Sequence, residues 1–424
     1  AENYTESVDA DPNGRLAAEA LWWAALALDE AENETGAQPR YAALVERFPA
    51  HPRAPEAAFR NGDISFRAGR AADARARWGV ALRSSVAGVA ATGGFWLGVA
   101  QAEAGDRAAA TATWTEAVRR DPAGYYGLRA AAQLAGKPLE PRHGSASLTV
   151  TPSDWAAAES WLASWAGPED VRAWSTFEPS DEWRAIIAIA EAGWTRTVTD
   201  AFTVAINRRT DKPWLLYRIG RTLADAGYAD LGMAAARQIL ARVPDGPAAA
   251  PAPARAIQRL AYPIPWLDLV QRQADQYGVD PLLVYAMMRQ ESAFNPTAGS
   301  SAGAYGLTQV IPGTAAEIAA ALRHESFSFA DLARPVVAIE FGVFYLGAQV
   351  KDQSSNVYRG LAAYNGGGSS AYRWVRSAGN TTDIDRFQEA IDYSETELYV
   401  RIVIENYAWY RYLYGAAERP SVVR

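Results

Sequence analysis

The chain has 424 residues, with 49% hydrophobic, 21% charged and 11% aromatic side chains, a net charge of −7 and a pI near 5.3. That length divides into two or three domains rather than one core, and the acidic balance argues against a general nucleic-acid binder. There are no cysteines, so disulfides, thiol catalysis and Cys-zinc sites are ruled out, and the three histidines (His51, His143, His324) lack the spacing of a metal site or a Ser-His-Asp triad.

Residues 15–30, RLAAEALWWAALALDE, have an apolar core like that of an export signal, but Glu19 interrupts it and four acids precede Arg15. They read as a buried helix, and no stretch of the sequence reaches the roughly 18 apolar residues of a membrane span. Any export signal is expected to have been removed from this chain.

Residues 1–245 are alanine-rich and read as helix after helix. An internal repeat is visible: Gly62, Gly69 and Trp78 recur as Gly98, Gly105 and Trp114, each offset by 36 residues. Gly220 and Gly227 repeat the seven-residue glycine spacing. A period close to ~34 residues with helix–turn–helix punctuation predicts an all-α, tetratricopeptide-like solenoid. The glycines are expected where two helices cross closely or turn. The Pro/Ser/Gly-rich stretch 137–154 breaks the pattern, giving a solenoid over 1–142, a linker over 143–153 and a second helical segment over 154–247. Prolines at 244, 247, 251 and 253 mark the main boundary, and a second domain spans 257–424.

In that second domain, PIPWLDLVQRQADQYGVD (263–280) predicts a helix closed at Gly278. Residues 279–292 predict another, with Asp280 as N-cap, Pro281 at the first position and apolar residues at 282, 283, 286 and 287. Thr314 and Glu317 predict a capping box for a helix over 313–322, and two more long helices cover 336–350 and 395–414. Glu291 falls near the end of the helix over 279–292, where the helix dipole does not favour an anion. Apolar surroundings would raise its pKa and keep it protonated, as a general acid for glycoside cleavage requires; a solvated terminal glutamate is the alternative. The Gly/Ser-rich stretch 294–315, carrying Gln309, and the stretch 361–374, carrying Tyr364 and Asn365 before three glycines, predict polar loops that wall a substrate groove.

Three stretches in order, YAMMRQESAFNPTAGSSAGAYGLTQVIPGTA, AAYNGG and EAIDYSETELYVRIVIENY, resemble the signatures of the soluble lytic transglycosylase family over roughly 257–415. The resemblance implies a lysozyme-like, mainly helical catalytic domain of goose type acting on peptidoglycan glycan strands. It likens the front half to the superhelical ring of large periplasmic members, which could also bind protein partners. It assigns Glu291 as catalytic acid and base, with Ser300 as the active-site serine beside the anhydro-forming sugar. Gly306, Leu307 and Gln309 match the groove-lining GLMQ motif, with Tyr305 and Thr308 beside them in the groove. Tyr364 and Asn365 match the AYN motif, which puts the Tyr364 hydroxyl near the acid as a catalytic group that stabilises the transition state, and Asn365 against the substrate. Glu389 rather than Glu395 is the substrate contact. It implies neither metal nor cofactor. The chain departs from the family pattern in places: Thr308 replaces Met, AYNGGG replaces AYNAGP, Asp392 replaces Pro, and Glu397 replaces Arg. Glycosidases ordinarily use two carboxylates, and no second one stands near Glu291 in sequence. The resemblance answers with a single-carboxylate reaction ending in a 1,6-anhydromuramoyl product. Hydrolysis on the same fold, or a weakly catalytic scaffold, are the alternatives.

Overall fold

A computed structural model describes residues 16–31, 33–136, 152–169, 180–191, 195–209, 211–243 and 254–415, with a few isolated positions outside these ranges. Both Pro-rich breaks, 143–151 and 244–253, and His143 lie outside them. The described residues are helical apart from loops and two isolated β-bridges, Gly299–Tyr305 and Tyr305–Val310. The chain divides into two compact units, one holding the helices up to Ala135 and the other those from Pro152 to Tyr414.

The first unit contains α1 (Ala17–Glu30), α2 (Glu34–Arg47), α3 (Ala54–Arg67), α4 (Ala71–Leu82), α5 (Ala87–Glu103), α6 (Arg107–Arg120) and α7 (Tyr125–Ala135). Each packs against its neighbour in sequence, and the start of the unit buries Leu21, Trp22, Tyr41, Leu44 and Ile64 together. The 36-residue repeat has a physical cause in two places. A Cβ on Gly62 would lie 2.6 Å from Trp78 Nε1, and one on Gly98 would lie 2.4 Å from Trp114 Nε1. Each indole thus seats against a bare helix backbone and donates to a carbonyl of that helix, Phe59 O at 3.2 Å and Phe95 O at 3.1 Å. Gly69 (φ 76°) and Gly105 (φ 86°) occupy the left-handed turns that join the paired helices.

The second unit begins with α8 (Pro152–Ala166), α9 (Asp181–Glu191), α10 (Thr195–Asn207), α11 (Pro213–Asp225) and α12 (Ala229–Leu240) around a core that includes Trp161, Phe202, Leu216 and Leu223. The glycine pair recurs here: Gly227 makes the turn at φ 93°, and Gly220 meets Ala235 where the earlier repeats meet tryptophan. Short α13 (Arg255–Ala261) follows. Its Arg255 and Arg259 donate to the carbonyls of Tyr412 and Leu413, so cations close the C-terminal end of the last helix, as its dipole favours.

Beyond it come α14 (Leu267–Tyr277), α15 (Pro281–Ser292), α16 (Pro312–Leu322), a 3₁₀ turn (Phe329–Ala333), α17 (Pro335–Asp352), α18 (Val357–Gly366), α19 (Gly368–Ser377), α20 (Ile384–Glu389) and α21 (Ser394–Tyr414). Helix α15 is the hub. Asp280 caps it by accepting from Leu282 N at 2.8 Å, and every residue from Pro281 to Met288 is buried, largely against α21. Three expectations need correction. Helix α14 starts at Leu267, four residues later than expected, after Trp266 turns through φ 52°. Helix α16 starts at Pro312 with Ile311 as an uncapped N-cap, so Thr314 is its third residue and forms no capping box; one forms instead at Ser328 and Asp331. The stretch 361–374 is two helices broken only at Gly367 (φ 88°), which places Tyr364 and Asn365 in the last turn of α18.

Candidate active site

Glu291 is the eleventh residue of α15, just where that helix leaves the core. Ala293 (φ 50°) and Phe294 (φ 66°) then take left-handed backbone in succession, and the Phe294 ring is wholly buried. Ser292 ties this end down by donating to Leu307 O at 2.9 Å. The carboxyl of Glu291 is therefore fixed from a rigid helix and a strained stop, a place where strain accompanies function.

The chemistry follows from the surroundings. Burial pushes the Glu291 carboxyl up to about 7, a hydrogen bond from Tyr399 opposes the rise, and the charge of Glu395 adds to it. Tyr399 donates to Glu291 Oε1 at 2.7 Å. Tyr364 donates to Thr308 O at 2.7 Å, with its ring against Tyr345. Burial first, then the charge of Glu291, push both hydroxyls well above the usual tyrosine range, so both stay protonated. A carboxyl that titrates near neutrality between two neutral phenols can give up and take back a proton at physiological pH.

The other expected residues fall into two groups. Asn365 stands beside Tyr364, and its Oδ1 accepts from Thr396 of α21 at 2.6 Å. Gly306 (φ 81°) is buried so close to the 3₁₀ turn that a Cβ would lie 2.4 Å from Leu332 O. Gln309, itself left-handed at φ 47°, donates to Ala298 O and Gly306 O and so holds the Gly/Ser loop in shape. Tyr305 contributes the backbone of both β-bridges and packs its ring near Phe329. Ser300 is exposed, and its Oγ accepts from Ala304 N inside the same loop. Glu389 ion-pairs with Arg401 at 3.5 Å. Arg401 also pairs with Glu397 one turn earlier on α21, so the charge reversal at 397 is answered locally.

Thr308 is a correction. Its side chain is fully buried, not exposed to a groove: Oγ1 donates to Ala338 O at 2.9 Å, and the side chain fills the space against Gly342. Only its carbonyl, which accepts from Tyr364, belongs to the site. Sequence reasoning also missed Tyr399. It lies inside the quoted stretch SETELYV, one helical turn after Glu395, and that i, i+4 spacing was the available signal. Glu395, set second to Glu389, is the carboxylate whose charge is felt at Glu291.

Residues 268–387 match the transglycosylase SLT domain, and residues 19–51 match a tetratricopeptide repeat. The soluble lytic murein transglycosylase of Escherichia coli K12 is 32% identical over 163 residues, 38% of this chain and 25% of that protein. The membrane-bound lytic murein transglycosylase C of Edwardsiella ictaluri is 35% identical over 117 residues, 26% of this chain and 33% of that protein. The chain thus spans about a quarter to a third of the length of these relatives. In fold it resembles an inactive-mutant lytic transglycosylase from Pseudomonas aeruginosa (TM-score 0.60, 20% identity, 93% of this chain and 62% of that one). It also resembles the 70 kDa soluble lytic transglycosylase of Escherichia coli (TM-score 0.58, 19% identity, 96% and 64%). Over residues 268–387 the chain thus matches the transglycosylase SLT domain, and in its second unit it is similar in sequence to soluble lytic murein transglycosylases.

Proposed function

We propose that the chain cleaves peptidoglycan glycan strands at the β-1,4 bond between N-acetylmuramic acid and N-acetylglucosamine, leaving a 1,6-anhydromuramoyl end. One observation carries this reading: Glu291, titrating near 7, is held by Tyr399 through Oε1 alone. In the neutral carboxyl the proton then sits on Oε2, free of Tyr399 and available to the substrate. Glu291 gives that proton to the glycosidic oxygen as the bond to C1 breaks. The 2-acetamido carbonyl of the muramoyl residue supports the cationic C1. The Glu291 carboxylate next takes the proton of the C6 hydroxyl, and O6 closes on C1. The ring closure is intramolecular and gains from proximity. Tyr364, whose own proton goes to Thr308 O, steadies the groove wall beside the acid. Ser300, Asn365, Gln309 and Glu389 are proposed substrate contacts, with the backbone at Tyr305 and Gly306 shaping the wall. The helical segments ahead of the catalytic domain act as a docking scaffold for protein partners. An exported, periplasmic location follows from the substrate.

Digestion of purified sacculi with wild type and Glu291→Gln, read by mass spectrometry, tests the reading. Anhydro-muropeptides from wild type and none from the variant are expected. Glu395 is a second carboxylate within electrostatic reach of Glu291. Reducing ends as the sole product would mean that water rather than O6 attacks, and would sink the transglycosylase reading.

A further inference from the structure

Asp392 stands where the sequence departs from the family pattern, and its surroundings are organised. Its carboxylate accepts from both terminal nitrogens of Arg373 and, at 2.6 Å, from Trp374 Nε1. Trp374 is fully buried, with Tyr393 set edge-on at 5.2 Å. The far end of the same indole lies against Gly366: a Cβ there would meet Trp374 Cη2 at 2.5 Å and Thr396 Oγ1 at 2.9 Å. Gly366 directly follows Tyr364 and Asn365, and Thr396 donates to Asn365. The indole is therefore gripped at its nitrogen by Asp392, while its other edge fixes the end of α18 that carries the groove tyrosine and asparagine.

We propose that Asp392 is a positioning residue for the Tyr364–Asn365 wall, acting through Trp374. It is not a catalytic residue, since it touches only Arg373 and Trp374 among its hydrogen-bond partners. The inference rests on the transglycosylase reading above. What matters is the hydrogen bond to the indole and not the ion pair to Arg373, because only the indole reaches Gly366. The two contacts can be separated. Asp392→Asn keeps an oxygen that accepts from Trp374 Nε1 but loses the charge; Asp392→Ala loses both; Arg373→Gln loses the ion pair and the guanidinium's contact over the Trp374 and Tyr393 rings but leaves the indole hydrogen bond in place.

The experiment is steady-state release of anhydro-muropeptides from solubilised glycan strands by the full chain and these three variants, with thermal melting in parallel. Displacing a reacting group by ~1 Å can cost about 100-fold in rate, and a tilt passed on by a neighbour is smaller. Asp392→Ala is expected to lower kcat about tenfold, with KM within about twofold. Asp392→Asn is expected to restore most of the rate, and Arg373→Gln to stay near wild type even if it melts earlier. Asp392→Ala at the wild-type rate, or Arg373→Gln as slow as Asp392→Ala, overturns the inference while leaving the function intact. A wild-type chain that releases no anhydro product overturns the function reading and this inference with it.

Discussion

The carboxyl that makes the site also weakens the fold, and Glu291→Gln measures by how much. An ordinary glutamate ionises near 4.5, whereas Glu291 in the folded chain holds its proton up to about 7. Below pH 4.5 both folded and unfolded chains are protonated there, and the residue exacts no penalty. As pH rises the unfolded chain ionises first, so stability falls until the folded carboxyl ionises too, near 7, and then levels off. A tenfold change in proton affinity is about 1.36 kcal/mol, so the loss is about 3 kcal/mol above pH 7. Glutamine keeps an oxygen for Tyr399 and never ionises. The variant should therefore match wild type at pH 4 and exceed it by about 3 kcal/mol at pH 8. Urea unfolding at the two pH values reads the difference from the midpoints at a common slope. Equal midpoints at pH 8 would show that Glu291 is not held protonated by burial, and the acid role would lose its physical basis.

Other outcomes follow from single contacts. Tyr399→Phe removes the one hydrogen bond that favours the charged form of Glu291. Bonds to charged groups are worth ~1.5–3 kcal/mol, so the upper limb of the pH–rate profile should move up by about 1 to 2 pH units. Glu395→Gln removes a charge that opposes ionisation and should move the same limb down. Thr308→Met restores the family residue but must fit where a Cβ on Gly342 would already lie 2.3 Å from Thr308 Cγ2; overpacking of about 1–3 kcal/mol should lower the melting temperature. Gly98→Ala should also destabilise, because its Cβ meets the Trp114 indole at 2.4 Å, whereas Gly79→Ala on the preceding helix meets nothing closer than 3.9 Å and should stabilise by ~0.5–1 kcal/mol.

Much of this was legible in the sequence, and the limits have physical reasons. Helix α15, its Asp280 cap and the place of Glu291 at its end followed from local chemistry: a capping side chain, a proline at the first position and a run of apolar residues. The glycine–tryptophan repeat was visible because the same close approach is built twice at the same offset. What stayed hidden depended on distant partners. Thr308 reads as polar and hence as groove lining, and only the arrival of α17 with Gly342 buries it. Tyr399 lies 108 positions from Glu291, and its one local mark, a place one helical turn after Glu395, does not say which distant acid it meets. The error at Thr314 is of another kind: two helix starts were available, and Pro312, pre-set for the first turn, took the earlier one.

The segment ahead of the catalytic helices bears on where an active fragment can begin. The SLT match starts at residue 268, yet residues 255–265 are bonded into the domain at several points. Arg255 and Arg259 cap α21, and Tyr410 and Tyr285 donate to the carbonyls of Pro263 and Pro265. Arg289, two residues before the acid on α15, donates to Ala261 O, reaches Asn406 at 3.0 Å and lies over the Tyr262 ring at 4.2 Å. A chain begun at 268 would leave four donors, Tyr285, Arg289, Tyr410 and Tyr414, without the carbonyls of Pro265, Ala261, Pro263 and Tyr262, at about 1 kcal/mol or more each where they are buried. It would also free the flank of the helix that aims Glu291. A fragment begun at Ala254 retains every one of these bonds. Of two truncations differing by only these residues, the longer should melt cooperatively and cleave glycan. The shorter should lose both, and equal activity of the two would show that α15 is held by α21 alone.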